Sequence, residues 1–82
     1  MKVRIRLDTM GDITRFVQIT TGLDCDVRLT NGKSFIVNGR SLLGAIYSTE
    51  WNEVFCECDQ DIYSKISEFV VEETPVDMGK FL

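Results

Sequence analysis

The dipeptide Asn31-Gly32 constrains the fold of this chain more than any other feature of the sequence. Both positions tolerate the positive φ that a tight hairpin turn requires, and this pair is a strong hairpin signal. Apolar and polar residues alternate over residues 24–30 before the turn, and residues 34–37 form an apolar-rich run after it. The sequence therefore predicts two antiparallel strands, at 24–30 and 34–37, joined at this turn.

Periodicity predicts the remaining elements. Apolar residues alternate with polar or charged ones at 3–7 and 53–58, which indicates two more strands. Helical spacing of apolar residues indicates helices at 13–21, 42–48 and 61–72.

The ends of the helices carry their own signals. We expect Asp12 to cap the first helix, because its carboxylate can accept a hydrogen bond from the free amides there, and Ser41 to cap the second. Asp59 or Asp61 is expected to cap the third. Gly22 is expected to end the first helix in the left-handed conformation, which glycine adopts at little cost.

The order of these elements, β-α-β-β-α-β-α, defines the fold class. Four strands and three helices within 82 residues favour one α+β domain, an antiparallel sheet with its helices on one face and its other face solvated. We expect the domain to span residues 1–74, followed by a tail at 75–82. The predicted core consists of Val3, Ile5, Leu7, Phe16, Val27, Leu29, Leu43, Ile46, Val54, Cys56, Ile62, Ile66, Phe69 and Val70.

Charge and composition exclude several classes of function. The net charge of −4 and the absence of a basic run argue against nucleic-acid binding. No apolar stretch approaches the length of a membrane span, and charges interrupt the N-terminus where a signal peptide would be apolar. We therefore expect a cytoplasmic protein that binds neither membranes nor nucleic acid.

The three cysteines, Cys25, Cys56 and Cys58, fit that location as reduced thiols. Cys56 and Cys58 are one residue apart on a predicted strand, whereas metal sites use pairs with two intervening residues. We expect both to pack in the core, and we expect no metal site and no cofactor.

Particular residues within this element order resemble HPr, the small phosphocarrier of the bacterial sugar phosphotransferase system. They are Phe16-Val17 in the first helix, Asn31-Gly32-Lys33-Ser34 at the hairpin, and Arg40-Ser41-Leu42-Leu43-Gly44 opening the second helix. The resemblance runs from about Val3 to Val71. It implies an open-faced β-sandwich with strand order 1-4-2-3 and three helices on one side of the sheet.

The chain departs from this family at the acceptor site. In the family, the acceptor histidine lies between the first strand and the first helix. Here that segment, residues 8–13, is several residues shorter, and the whole chain contains no histidine. We therefore expect no catalytic residue, no enzymatic activity and no histidine phosphocarrier function. Asp12 is an alternative acceptor, as an acyl phosphate, although helix capping already accounts for this residue.

Ser41 is the candidate regulatory site. In many HPr proteins the matching serine is phosphorylated by a regulatory kinase, and the resemblance implies the same role here, with Arg40 supporting the phosphate. Some family members keep this serine, lack the histidine and act only in regulation. Helix capping alone also explains a serine at this position. An alignment shift would move the switch to Ser34 or Ser48.

An aromatic group is the candidate partner surface. Tyr47 and Trp51, with Phe55, either form an exposed patch for a protein partner or cover the core. The leading hypothesis is a non-catalytic, HPr-like regulatory or protein-binding module. The alternatives are a phosphoacceptor working through Ser41 or Asp12, and a structural or assembly protein, such as a homodimer formed through a strand edge or the tail. We expect the protein to be a monomer or a weak homodimer.

Overall fold

A computed structural model describes residues 1–71 of the chain. The described residues form four strands, three α-helices and one 3-10 turn. In chain order they are β1 (Lys2–Ile5), α1 (Met10–Thr21), β2 (Arg28–Thr30), β3 (Ile36–Asn38), α2 (Leu42–Ser48), β4 (Val54–Glu57), α3 (Tyr63–Ile66) and the 3-10 turn Ser67–Phe69.

The strands form one antiparallel sheet in the order β1-β4-β2-β3, which confirms the predicted α+β fold. In β4, Cys56 pairs with Val3 of β1 and with Leu29 of β2. Cys56 and Leu29 are fully buried, so this face of the sheet packs against the helices. On the opposite face Lys2 and Arg28 both pair with Glu57, and their side chains form ion pairs with it.

The hairpin between β2 and β3 is longer than predicted. Gly32 has the expected positive φ, of 82°. Asn31 contributes through its side chain, because Oδ1 accepts hydrogen bonds from the amides of Lys33, Ser34 and Phe35 at 2.9–3.1 Å. This single acceptor organises a five-residue loop, so β3 begins at Ile36 and not at residue 34.

The predicted N-cap of α1 is wrong by three residues. The cap is Thr9, whose hydroxyl accepts a hydrogen bond from the Asp12 amide at 3.0 Å. Asp12 lies in the first turn and its carboxylate accepts from the Asp8 amide at 3.1 Å. The two side chains together satisfy free amides at the helix start, which lets α1 begin at Met10. Gly22 ends α1 as predicted, but its φ of −82° is right-handed.

The third helix is much shorter than the predicted 61–72. Its N-cap is Ile62 and not Asp59 or Asp61, although Asp61 accepts from the Tyr63 amide at 3.0 Å. The helix ends at Ile66 before the 3-10 turn. Beyond it the chain runs beside β1: the Arg6 amide donates to the Phe69 carbonyl at 2.8 Å, and the Val71 amide to the Arg4 carbonyl at 2.9 Å. The chain after the 3-10 turn thus satisfies backbone groups at the outer edge of β1, where the prediction had a helix.

The core follows most of the prediction, with one clear error. Ile5, Phe16, Val27, Leu29, Cys56, Ile62, Ile66 and Phe69 are buried, and Val3, Leu7, Ile46, Val54 and Val70 pack partly buried against them. Leu43, however, is 79% exposed. Ile13 and Ala45 are core residues that the prediction left out, and Cys58 is buried, as expected for a thiol on the apolar face of its strand. The boundary expected at residue 74 and the tail at 75–82 lie outside the described residues. Within residues 1–71, no helix has the length and apolar character to cross a membrane.

Candidate functional site

The start of α2 lies unusually close to the end of β3. Ser41 is the N-cap, as predicted, and its hydroxyl accepts a hydrogen bond from the Gly44 amide at 3.2 Å. The Ser41 amide in turn donates to the Asn38 carbonyl. A Cβ on Gly44 would lie only 2.6 Å from that carbonyl oxygen. Glycine at this position therefore allows the helix and the strand to touch.

The fully buried face of α2 carries small residues. Ala45 and Ser48 form it, and the Ser48 hydroxyl donates a hydrogen bond to the Ala45 carbonyl at 2.7 Å. Of the larger side chains on α2, Ile46 packs partly buried against the core, whereas Leu42, Leu43 and Tyr47 are 44%, 79% and 53% exposed. The expectation that Leu43 lies in the core is therefore wrong, because the helix buries the side of Ala45 and Ser48 instead.

An aromatic cluster forms around the exposed face of α2, where Tyr47 meets the rings of Phe35 and Trp51. The rings of Phe35 and Trp51 stack with centroids 6.1 Å apart and an interplanar angle of 10°. Tyr47 meets Trp51 edge to face, also at 6.1 Å. Trp51 packs partly against the core, whereas Phe35 remains 50% exposed. We call Leu42, Leu43, Tyr47, Phe35 and Trp51 together the α2 surface.

The sequence predicted two of these three rings. Tyr47 and Trp51 do lie together, but Phe55 belongs to the open face of the sheet, where Lys2 Nζ lies 5.2 Å from its ring centroid. Phe35 takes its place. It was missed because it lies on the hairpin, far from Trp51 in the sequence. Only the five-residue loop places it near the segment before β4.

Ser41 is half-buried at the start of α2, next to the exposed leucines. Ser48, one of the two alternative switch positions, is fully buried, whereas Ser34 is exposed on the hairpin. Access by a modifying enzyme therefore favours Ser41 or Ser34 over Ser48.

Arg40, the predicted phosphate support, makes its contacts at the end of α1. Its guanidinium donates to the carbonyls of Thr20 and Thr21 at 3.2 and 3.3 Å. A cation at this position stabilises the negative end of the helix and satisfies its last carbonyls.

Helix-capping contacts occupy the segment between β1 and α1. The amide of Asp8 donates to the Asp12 carboxylate and is the main cause that lowers the pKa of Asp12 from 3.8, with a further contribution from Arg15. Arg15 also bridges to Glu68 at 3.0 Å. The Asp12 carboxylate is therefore held ionised as a hydrogen-bond acceptor.

All three cysteines are free thiols, as predicted. Burial raises the pKa of Cys56 to about 12. The structure adds a pairing that the sequence did not reveal, because the Sγ atoms of Cys25 and Cys58 lie 3.3 Å apart. Within residues 1–71, no group of three or more cysteine or acidic side chains is arranged to hold a metal ion.

Comparisons of the chain with family models, with curated proteins and with solved structures found no match. A fold alone does not define an activity, so the function is argued from the site.

Proposed function

We propose that this chain is a non-catalytic, HPr-like protein-binding or regulatory module that docks a partner protein through the α2 surface. The exposure of Leu43 and Tyr47, beside the stacked rings of Phe35 and Trp51, carries the proposal. An apolar patch of this kind on a small domain is typical of interaction sites, and tyrosine and tryptophan are enriched among the residues that dominate binding energy.

The α2 surface is also well organised for binding. Its rings already contact one another, and its helix is fixed by the Ser41 cap and by the tight contact at Gly44. Side chains that are ordered before binding lose less conformational entropy on association. Lys33 and Glu50 are exposed beside the rings and supply the polar rim that surrounds most interface centres.

Two further observations support the HPr-like and non-catalytic parts of the proposal. The sheet order 1-4-2-3 is the one that the resemblance implies. The chain has no histidine, and capping contacts occupy Asp12. We place the protein in the cytoplasm, where thiols such as Cys56 remain reduced.

The test compares binding by two variants that carry the same charge at different apolar positions. Leu43→Lys lies on the α2 surface, and Ile36→Lys lies on β3 at a position that is 63% exposed. We expect wild type and Ile36→Lys to capture the same partner from the native cell and Leu43→Lys to lose it. Urea unfolding of all three baits checks that they are equally folded.

If Leu43→Lys captures the same proteins as wild type while remaining folded, the α2 surface is not the docking site. If Ile36→Lys alone loses them, the partner binds at the sheet edge instead.

The second candidate function adds regulation through Ser41. Its support is position, because Ser41 directly precedes Leu42 and Leu43, so that a phosphate would add charge to the edge of the docking surface. We expect phosphate on Ser41 in protein isolated from its own cells, detected by mass spectrometry. We expect no transfer from phosphoenolpyruvate through the general phosphotransferase enzyme, and labelling in that assay would favour the phosphoacceptor alternative.

A further inference from the structure

Two cysteines from different parts of the chain meet at one end of the sheet. Cys25 lies in the connection between α1 and β2, and Cys58 directly follows β4. The last pair in the register of β2 with β4 is Arg28 with Glu57. The segments that carry Cys25 and Cys58 therefore lie side by side at this end of the sheet. The Cys58 thiol donates a hydrogen bond to the Cys25 sulfur across 3.3 Å.

A disulfide requires only a small further movement. The sulfur atoms of a disulfide are about 2.0 Å apart, so the two sulfurs must approach by roughly 1.3 Å. Cys25 lies outside regular secondary structure and Cys58 follows the last residue of its strand. The Cys58 backbone is held by Met1, whose carbonyl accepts from the Cys58 amide and whose amino group donates to the Cys58 carbonyl. Cys25 has the freer backbone, so the movement is expected there.

The third cysteine, Cys56, is not expected to take part in this disulfide. Cys56 lies within β4, and alternate residues of a strand are about 6.8 Å apart, at the upper limit of disulfide reach. Its thiol is fully buried, and burial raises its pKa to about 12. Cys56 therefore has neither the geometry nor the thiolate to compete.

Exposure assigns different roles to the two paired thiols. Cys58 is 2% exposed, whereas Cys25 is half-buried and reachable from solvent. The hydrogen bond with Cys58 is the largest cause that raises the pKa of the Cys25 thiol, and burial raises it further. The nearby Arg40 partly offsets both effects. Attack by Cys25 is thus slow at neutral pH and faster in mildly alkaline solution, because the thiolate is the nucleophile.

We infer that Cys25 and Cys58 form a dithiol site that reacts with low-molecular-weight disulfides of the glutathione type and closes to an intramolecular disulfide. The Cys25 thiol loses its proton and attacks one sulfur of the reagent. A mixed disulfide forms, and one reagent thiolate leaves and takes up a proton. The Cys58 thiol then loses its proton and attacks the Cys25 sulfur, which expels the second reagent thiolate to be protonated in turn. Two protein thiols are oxidised, and one reagent disulfide is reduced to two thiols.

The resulting disulfide would link residues 33 apart in sequence and enclose β2, β3, α2 and β4. Such a link restricts the unfolded chain and so favours the folded state. The enclosed segment carries the whole α2 surface. The oxidation state of the cysteine pair therefore sets the stability of that surface, whichever partner it binds.

The experiment treats the full folded chain with oxidised glutathione at mildly alkaline pH. Remaining thiols are then blocked with an alkylating agent in denaturant, and intact and peptide masses are measured. We expect one alkylated thiol, at Cys56, and one disulfide between Cys25 and Cys58. The reduced protein should show three alkylated thiols. The oxidised form should unfold at a higher urea concentration than the reduced form.

Three variants separate the roles of the thiols. Cys58→Ala should accumulate glutathione on Cys25, because the resolving thiol is missing. Cys25→Ser, altered outside the core, should remain unmodified. Cys56→Ala should still form the disulfide. Three alkylated thiols in oxidised wild type would overturn the inference, as would a disulfide that includes Cys56. A glutathione adduct on Cys25 that persists in wild type would refute the closing step.

Discussion

Replacing Gly44 with alanine should destabilise the protein, whereas the same replacement at Gly11 should not. Both glycines lie in the first turn of a helix, Gly44 in α2 and Gly11 in α1. A Cβ at Gly44 would lie 2.6 Å from the backbone oxygen of Asn38. A Cβ at Gly11 would meet only side-chain atoms, at 3.6 Å or more. The two substitutions therefore bring the same gain in intrinsic helix propensity and differ in the room available for the new Cβ atom.

The magnitude follows from these distances. At Gly44 the new atom would be about 0.8 Å closer than ordinary van der Waals contact begins, and its neighbour is backbone, which no rotamer change can move. Overpacking of this kind costs roughly 1–3 kcal/mol. A clash with backbone belongs to the upper part of that range, about 2–3 kcal/mol, and alanine gains about 1 kcal/mol over glycine in a helix, so the net loss at Gly44 is about 1–2 kcal/mol. At Gly11 the helical gain remains, and stability should be unchanged or rise by up to about 1 kcal/mol.

Urea unfolding, followed by far-ultraviolet circular dichroism, measures both changes. With a slope of about 1 kcal/mol per molar urea for a small domain, Gly44→Ala should lower the midpoint by about 1–2 M. Gly11→Ala should leave it unchanged or raise it. A Gly44→Ala midpoint equal to or above that of wild type would refute the claim that α2 is held in contact with β3.

Three further predictions concern the core and the start of α1. Ile66→Ala should cost about 2–5 kcal/mol in the same assay, because Ile66 is fully buried, and a cost below about 1 kcal/mol would contradict that packing. Thr20→Val should cost about 1–3 kcal/mol, because the buried Thr20 hydroxyl donates to the Gly39 carbonyl at 2.8 Å and valine leaves that oxygen without its donor. Thr20→Ser, which keeps the hydroxyl, should cost less, and equal losses would argue against the hydrogen bond. The hydrogen bond from the Asp8 amide lowers the pKa of Asp12, so its contribution to stability is present above the unfolded value near 3.8 and is lost as pH falls through the folded value. Asp12→Asn should therefore flatten the acid side of a plot of urea midpoint against pH, and an unchanged plot would show that this carboxylate does not contribute.

The parts of the candidate site that depend on residues close together in the sequence were predicted, and the part that depends on a distant contact was not. The Ser41 cap was predicted correctly because capping depends on residues within one helical turn. The association of Tyr47 with Trp51 was also predicted, since the two are only four positions apart in the sequence. Phe35 was not, because its place beside Trp51 depends on how Asn31 organises the hairpin loop.

The sequence by itself determined the order of the elements, the antiparallel hairpin and the positions of the turns. These features arise from backbone preferences and from apolar periodicity, which act over a few residues. Asn31-Gly32 produces its turn whatever lies elsewhere in the chain, and α2 has the predicted bounds of Leu42–Ser48.

Tertiary structure alone decided where α3 ends, which face of α2 is buried and which cysteines meet. The helical pattern of residues 61–72 ends at Ile66, and after the 3-10 turn the chain pairs with the edge of β1. Leu43 is exposed because packing against the rest of the fold buries the side of α2 that carries Ala45 and Ser48. Each of these outcomes depends on a group distant in sequence, and periodicity within a single element carries no information about its neighbour across the fold.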